Sequence, residues 1–204
     1  MTTYAWPTDP RHVPQTAALR VIVNARHNMS SENGVSQTVT RPGSRWGWSL
    51  TMPPMRRAVR DDFEGFLAGL SGMEHRVSIY DWQRPVPRGT CNTAGVTLGA
   101  AADAFATSVV LAGCGNAKTL LRGDWIKFAN GQLCRVAADA TSDSGGAMTV
   151  HIRHALRAGL SSASAVTLAQ PTALYILTEP TIDLPRQPGW TQPSMGLDLV
   201  EVFA

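Results

Sequence analysis

Over residues 45–52 the chain reads Arg-Trp-Gly-Trp-Ser-Leu-Thr-Met, so that Trp46, Trp48, Leu50 and Met52 alternate with small or polar neighbours. A period of two puts every second side chain on one face, which predicts a strand with one buried side. Leu19–Val23 and Val35–Thr40, rich in β-branched residues, predict two earlier strands. The polar run Asn28–Gly34 between them ends in Asn33-Gly34, a favoured hairpin dipeptide. Pro42-Gly43-Ser44 supplies the next turn. Residues 1–18 carry Pro7, Pro10 and Pro14 without periodicity and predict an irregular N-terminal arm.

After residue 53 the period changes. Met55, Val59, Phe63, Phe66, Leu67 and Leu70 fall on one helical stripe, with Arg56, Arg57, Arg60, Asp61 and Glu64 on the opposite face. This predicts a helix over 54–71, opened by Pro53-Pro54 and closed by Ser71-Gly72. The stripe is expected to pack on the sheet that carries Trp46 and Trp48. His75–Tyr80 returns as a strand, and Arg84–Gly89 breaks the pattern. From Thr90 to about Leu177 the composition shifts to Ala, Gly, Ser, Thr and Val, with short strands predicted at 96–98, 108–111, 124–128, 133–136, 148–152, 165–168 and 174–177. Short strands separated by turns such as Asn130-Gly131 and Ser142–Gly146 suggest a small barrel or sandwich. Past the proline-rich link 180–193, Gly196–Phe203 alternates strictly and predicts a last strand, most economically paired with the first sheet.

The expected fold is therefore mainly β. A sandwich- or barrel-like domain (19–87 plus 178–204) carries one packed helix, a small β-barrel domain (88–177) is inserted in it, and an arm (1–18) precedes it.

Composition narrows the function. The 204 residues are 44% hydrophobic and 16% charged, against roughly 25% charged in an average soluble domain. No apolar run approaches the roughly 18 residues of a membrane helix, so no membrane insertion is expected. The N-terminus lacks the basic start and apolar stretch of a signal peptide, so secretion by that route is not expected. Net charge is +3, and of the 18 cationic residues only Lys118 and Lys127 are lysines. Arginine suits interface ion pairs and phosphate contacts, but +3 is too little for a dedicated nucleic-acid binder. Cys91, Cys114 and Cys134 form no CxxC pair and are expected as free thiols in a reducing compartment.

Catalytic motifs do not emerge. His151 and His154 are three apart in a strand pattern, where that spacing does not place them on one face. A zinc site also needs three or four convergent ligands. Gly113–Thr119 lacks the spacing of a phosphate-binding loop, and no nucleophile elbow or dinucleotide fingerprint occurs. No enzyme, metal or cofactor is expected.

The run Thr38-Val39-Thr40-Arg41-Pro42-Gly43-Ser44-Arg45-Trp46, through Leu50-Thr51-Met52-Pro53-Pro54-Met55 into Phe63-Glu64-Gly65-Phe66-Leu67-Ala68-Gly69-Leu70-Ser71-Gly72, resembles the distal tail proteins of long-tailed bacteriophages. Leu121-Arg122-Gly123-Asp124-Trp125-Ile126, Cys134-Arg135-Val136, Asp143–Val150 and His154-Ala155-Leu156-Arg157 resemble a second block of the same proteins, and the order of the blocks carries the likeness. The hairpin at 28–34 departs from that pattern. The resemblance implies a non-enzymatic virion protein, made in the bacterial cytoplasm and active in the phage tail. It implies a homohexameric ring between the tail tube protein and a tail tip or hub protein, with a lumen in which DNA makes transient, non-specific contacts. Ring contacts are then expected from Trp6 and Pro7 on the arm, from Arg56, Arg57 and Arg60 on the helix, and from Val200 and Val202 on the last strand.

Two rival readings stay open. A carbohydrate- or host-surface-binding β module would use Trp125 and Tyr175 to line a shallow groove. A hydrolytic tail-tip enzyme would need convergent carboxylates or a metal cluster in one pocket.

Overall fold

The computed structural model describes residues 1–29, 34–40, 43–91 and 94–203. In chain order the first elements are β1 (Thr3–Ala5), a 3-10 turn (Pro10–His12), β2 (Thr16–Ile22), β3 (Ala25–Met29), β4 (Ser36–Thr40), β5 (Arg45–Met52) and β6 (Met55–Arg56). The helix α1 (Arg57–Gly69) and β7 (Arg76–Ile79) follow. Then come β8 (Thr97–Leu98), β9 (Ser108–Ala112), β10 (Thr119–Leu120), β11 (Trp125–Phe128), β12 (Leu133–Val136) and β13 (Ala140–Thr141). The last are β14 (Met148–Arg153), β15 (Val166–Thr167), β16 (Ala173–Leu177), β17 (Thr191–Gln192) and β18 (Met195–Glu201). The protein is mainly β, with α1 the single α-helix among the described residues.

Two compact units divide the chain: residues 1–20, 46–86 and 169–204 form one, and residues 21–45 with 87–168 the other. The first unit resumes at 169 rather than 178 because β16 pairs with β7 on one side and β18 on the other. In the first unit six strands run in the order β1-β7-β16-β18-β5-β2. The alternation seen in the sequence sets the register: Trp48 faces Leu199, Leu50 faces Leu197, and Met52 faces Met195. All six are buried.

Residues 3–5 are not part of an irregular arm; β1 pairs in parallel with β7. The reason lies just beyond, where Trp6 is buried between Phe63, Phe66 and Trp82 at ring separations of 5.6, 5.8 and 5.3 Å. Its Nε1 donates to the carbonyl of His12. Trp82 in turn meets Trp48 at 6.1 Å, so a chain of aromatic rings ties α1 to β5. Tilted and edge-on contacts of this kind add about 0.5–1.5 kcal/mol per pair to area burial.

The helix begins at Arg57, three residues later than its stripe suggests. Met55 and Arg56 instead form β6, held in extended backbone by pairing with Gln192 and Thr191. At the other end Ser71 and Gly72 both take positive φ (49° and 65°), so the chain leaves the helix where expected.

In the second unit the sheet order is β15-β11-β12-β14-β9-β8. A bridge between Thr97 and Ala165 joins its two ends, and Leu98 and Val166 donate to the carbonyls of Ser164 and Val96. The sheet is thus a nearly closed, six-stranded barrel around Val96, Leu111, Ile126, Phe128, Val136, Val150 and Ile152 among others. The buried Asp124 of the Arg122-Gly123-Asp124 motif accepts backbone N–H bonds from Arg88, Gly89 and Leu121. It staples the inbound segment to the barrel. Cys91, Cys114 and Cys134 are buried and form no disulfide, and burial pushes the Cys114 thiol up to about 12.

Candidate assembly surface

Strands β3 and β4 of the second unit form an antiparallel ribbon. They pair Arg26 with Val39, His27 with Thr38, Asn28 with Gln37, and Met29 with Ser36. Every described side chain from Val21 to Met29 and from Val35 to Val39 is exposed. At the tip Met29 is 71% exposed and Val35 is also open; at the base Val21, Ile22 and Val23 lie uncovered in a row. Runs of three or more exposed apolar residues are avoided on a free surface unless they serve a contact. An isolated two-stranded hairpin is also only marginally stable in water. The expected turn residue Asn33, and Arg41 and Pro42 of the following turn, lie outside the described residues; Gly34 has φ 67°.

A second exposed feature sits at the start of α1. Trp190 is 90% exposed, and its carbonyl accepts from the backbone N–H of Arg57. Arg56 and Arg57 are exposed as expected. Backbone pairing thus brings Trp190 to the same end of the helix as Arg56 and Arg57, and Trp and Arg are residue types enriched at interface hot spots.

Other expected contact residues are placed differently. Trp6 is in the core and presents no ring to a neighbour, while Pro7 is half-buried. Arg60, expected on the helix face opposite the apolar stripe, is 1% exposed. Its Nε donates to Glu64 at 2.9 Å and its Nη1 to the carbonyl of Pro193 at 3.2 Å. Glu64 also holds Arg186 at 2.6 Å. The proline-rich link thus folds back over the helix and turns an exposed pattern into a buried ion pair. Val200 on the last strand and Val202 just beyond its end are half-buried. With β16 and β5 on either side of it, β18 has no edge free for strand addition.

The groove expected of a glycan module is not formed by Trp125 and Tyr175. Both rings are buried, in different units. Trp125 is covered by the Arg135 guanidinium, 4.5 Å above the ring. The phenol of Tyr175 titrates above its ordinary range because it is buried and lies near Glu201.

His151 and His154 both line one cleft. Strand β14 ends at Arg153, so the chain turns before His154. Among the described residues no group of three or more His, Cys, Asp or Glu side chains is placed to hold a metal ion.

Sequence reasoning missed the ribbon strand β3 and Trp190. The first has no alternation to detect, because neither of its faces is buried. The second stands between Gly189 and Thr191 in a segment whose only pattern is proline. No family model and no curated protein matches the chain.

Proposed function

We propose that this chain is a structural protein of a bacteriophage tail, a distal tail protein. Its copies form a hexameric ring that joins the tail tube to the tail tip or baseplate and leaves a channel for DNA. The uncovered ribbon carries this reading. Among the described residues Val21, Ile22, Val23 and Met29 stay exposed, and burying them requires a surface supplied by another molecule. In a ring each protomer both donates such an element and receives one, and a head-to-tail contact closes when the rotation per subunit divides a full turn. Trp190 with Arg56 and Arg57 offers a second contact of suitable chemistry, and the sequence blocks quoted above point to the same class of protein.

Light scattering over a concentration series at two salt levels tests this. The wild-type mass is expected to rise toward a hexamer, while Ile22→Glu stays monomeric with an unchanged melting temperature. A wild-type chain that remains monomeric throughout, and that also fails to bind isolated tail tubes, overturns the proposal.

A further inference from the structure

A cleft of about 570 Å³ opens on the barrel unit, lined by Phe105, His151, Arg153, His154 and Arg157 with the Gly43-Ser44 backbone beside them. The volume is that of an ordinary small-ligand site. Its charge has one sign: no Asp or Glu is among the lining residues. The alternation of β14 explains part of the arrangement. Met148, Val150 and Ile152 point into the barrel, so Thr149, His151 and Arg153 point out. Arg153 stands directly across from Arg135 on β12. Like charges in that position repel, and Arg135 is already laid over Trp125. Among the described residues Arg153 and His151 make no ion pair.

The opposite wall is held in place from behind. The nearly fully buried Gln132 donates from its Nε2 to the Ala155 carbonyl at 2.9 Å, and its Oε1 accepts from the Arg157 backbone N–H at 2.9 Å. Arg157 in turn donates from Nη2 to the Ser44 carbonyl at 3.2 Å. This clamp fixes a guanidinium at the cleft before any ligand arrives, the kind of preorganisation that lowers the entropic cost of binding. At the rim Phe105 is 59% exposed and has φ 69°. A bulky residue in left-handed backbone is an outlier, and such strain collects at functional sites. Its N–H donates to the Leu156 carbonyl at 2.7 Å, which keeps the ring at the cleft. Burial, with Arg157 and Arg153 adding to it, pushes His154 below its ordinary range, so its imidazole serves as a neutral hydrogen-bonding group.

We infer that this cleft binds a phosphate group carried on a ring, with the phosphate between Arg153 and Arg157 and the ring against Phe105. Arginine matches phosphate oxygens with paired N–H donors, and an aromatic face accepts either the C–H face of a sugar or a base. The ligand class is therefore a sugar phosphate or a nucleotide. The inference is independent of the assembly proposal, because none of these residues belongs to the ribbon.

Isothermal titration calorimetry of the full chain in low salt, with a hexose phosphate, a nucleoside monophosphate, inorganic phosphate and the unphosphorylated hexose, tests it. At least one ring phosphate is expected to bind more tightly than inorganic phosphate, and the bare hexose not to bind. Whichever ring phosphate binds more tightly identifies the source. Arg153→Gln and Arg157→Gln should each weaken binding by about tenfold or more. Phe105→Ala should weaken the ring phosphate while leaving inorganic phosphate unchanged. Arg153 is exposed and unpaired, so its variant keeps the test valid if Arg157→Gln fails to fold. No binding of either ring phosphate, equal binding of inorganic phosphate, or binding that survives Arg153→Gln overturns the inference.

Discussion

Strand β5 and the ribbon strand β4 lie within a few residues of each other in the chain, and apolar and polar residues mix in both. In β5 the apolar set meets Leu197 and Leu199 of β18 and vanishes from solvent. In β4 Val39 stays exposed, opposite Arg26. An alternating pattern states which face a strand would bury, but not that anything inside the same chain will cover it. For β5 the cover is a strand made about 150 residues later; for the ribbon no cover is present among the described residues.

Truncation measures this contrast most directly. Leu50→Ala removes a side chain that is almost wholly buried and should cost about 2–5 kcal/mol in urea unfolding. Val39→Ala should change unfolding by no more than about 0.5 kcal/mol while weakening self-association in light scattering. A large stability loss from Val39→Ala would make the ribbon part of the folded core and erase the distinction.

A smaller effect comes from the barrel, which covers its own strands. A Cβ on Gly89 would lie 2.1 Å from the Thr119 carbonyl oxygen, a backbone atom that cannot swing aside. Gly89→Ala should cost about 1–3 kcal/mol in thermal melts and leave association through the ribbon intact in the folded fraction.

The last effect, confined to alkaline pH, is the pH dependence of the buried thiol. Cys114 titrates at about 12 in the folded protein against 9.0 ordinarily. Between those values the unfolded chain has lost the proton that the folded chain keeps, so stability falls as pH rises from about 9 toward 12. Tyr175, also held above its ordinary value, adds the same sign at the upper end of that window. Denaturation midpoints of Cys114→Ala should show a flatter decline over this range than wild type.

What the sequence made legible follows the same division. The barrel strands at 108–112, 125–128, 133–136 and 148–153 are local, alternating and bounded by Gly or Asn turns, and they appear where the pattern puts them. The start of α1 was misplaced because β6 is decided by Thr191 and Gln192, far off in sequence. Arg60 reads as a solvated helix residue until the 186–193 segment covers it. The short β1 has three residues and no period to detect; a single tryptophan anchors it. The cleft on the barrel unit is hidden in the sequence because strand spacing separates His151 from His154, whereas the end of β14 at Arg153 lets both line it.

The position of β18 has a consequence for how the protein is made. All strands of the nearly closed barrel lie between residues 97 and 167 and emerge from the ribosome in one run. The sheet of the first unit lacks its inner strand until residues 195–201 appear. At about 5–20 residues per second, β5 waits roughly 7–30 s for the strand that covers it. A chain released early carries the ribbon strands but lacks the strand that sits between β16 and β5, so the sheet of the first unit stays split into two parts.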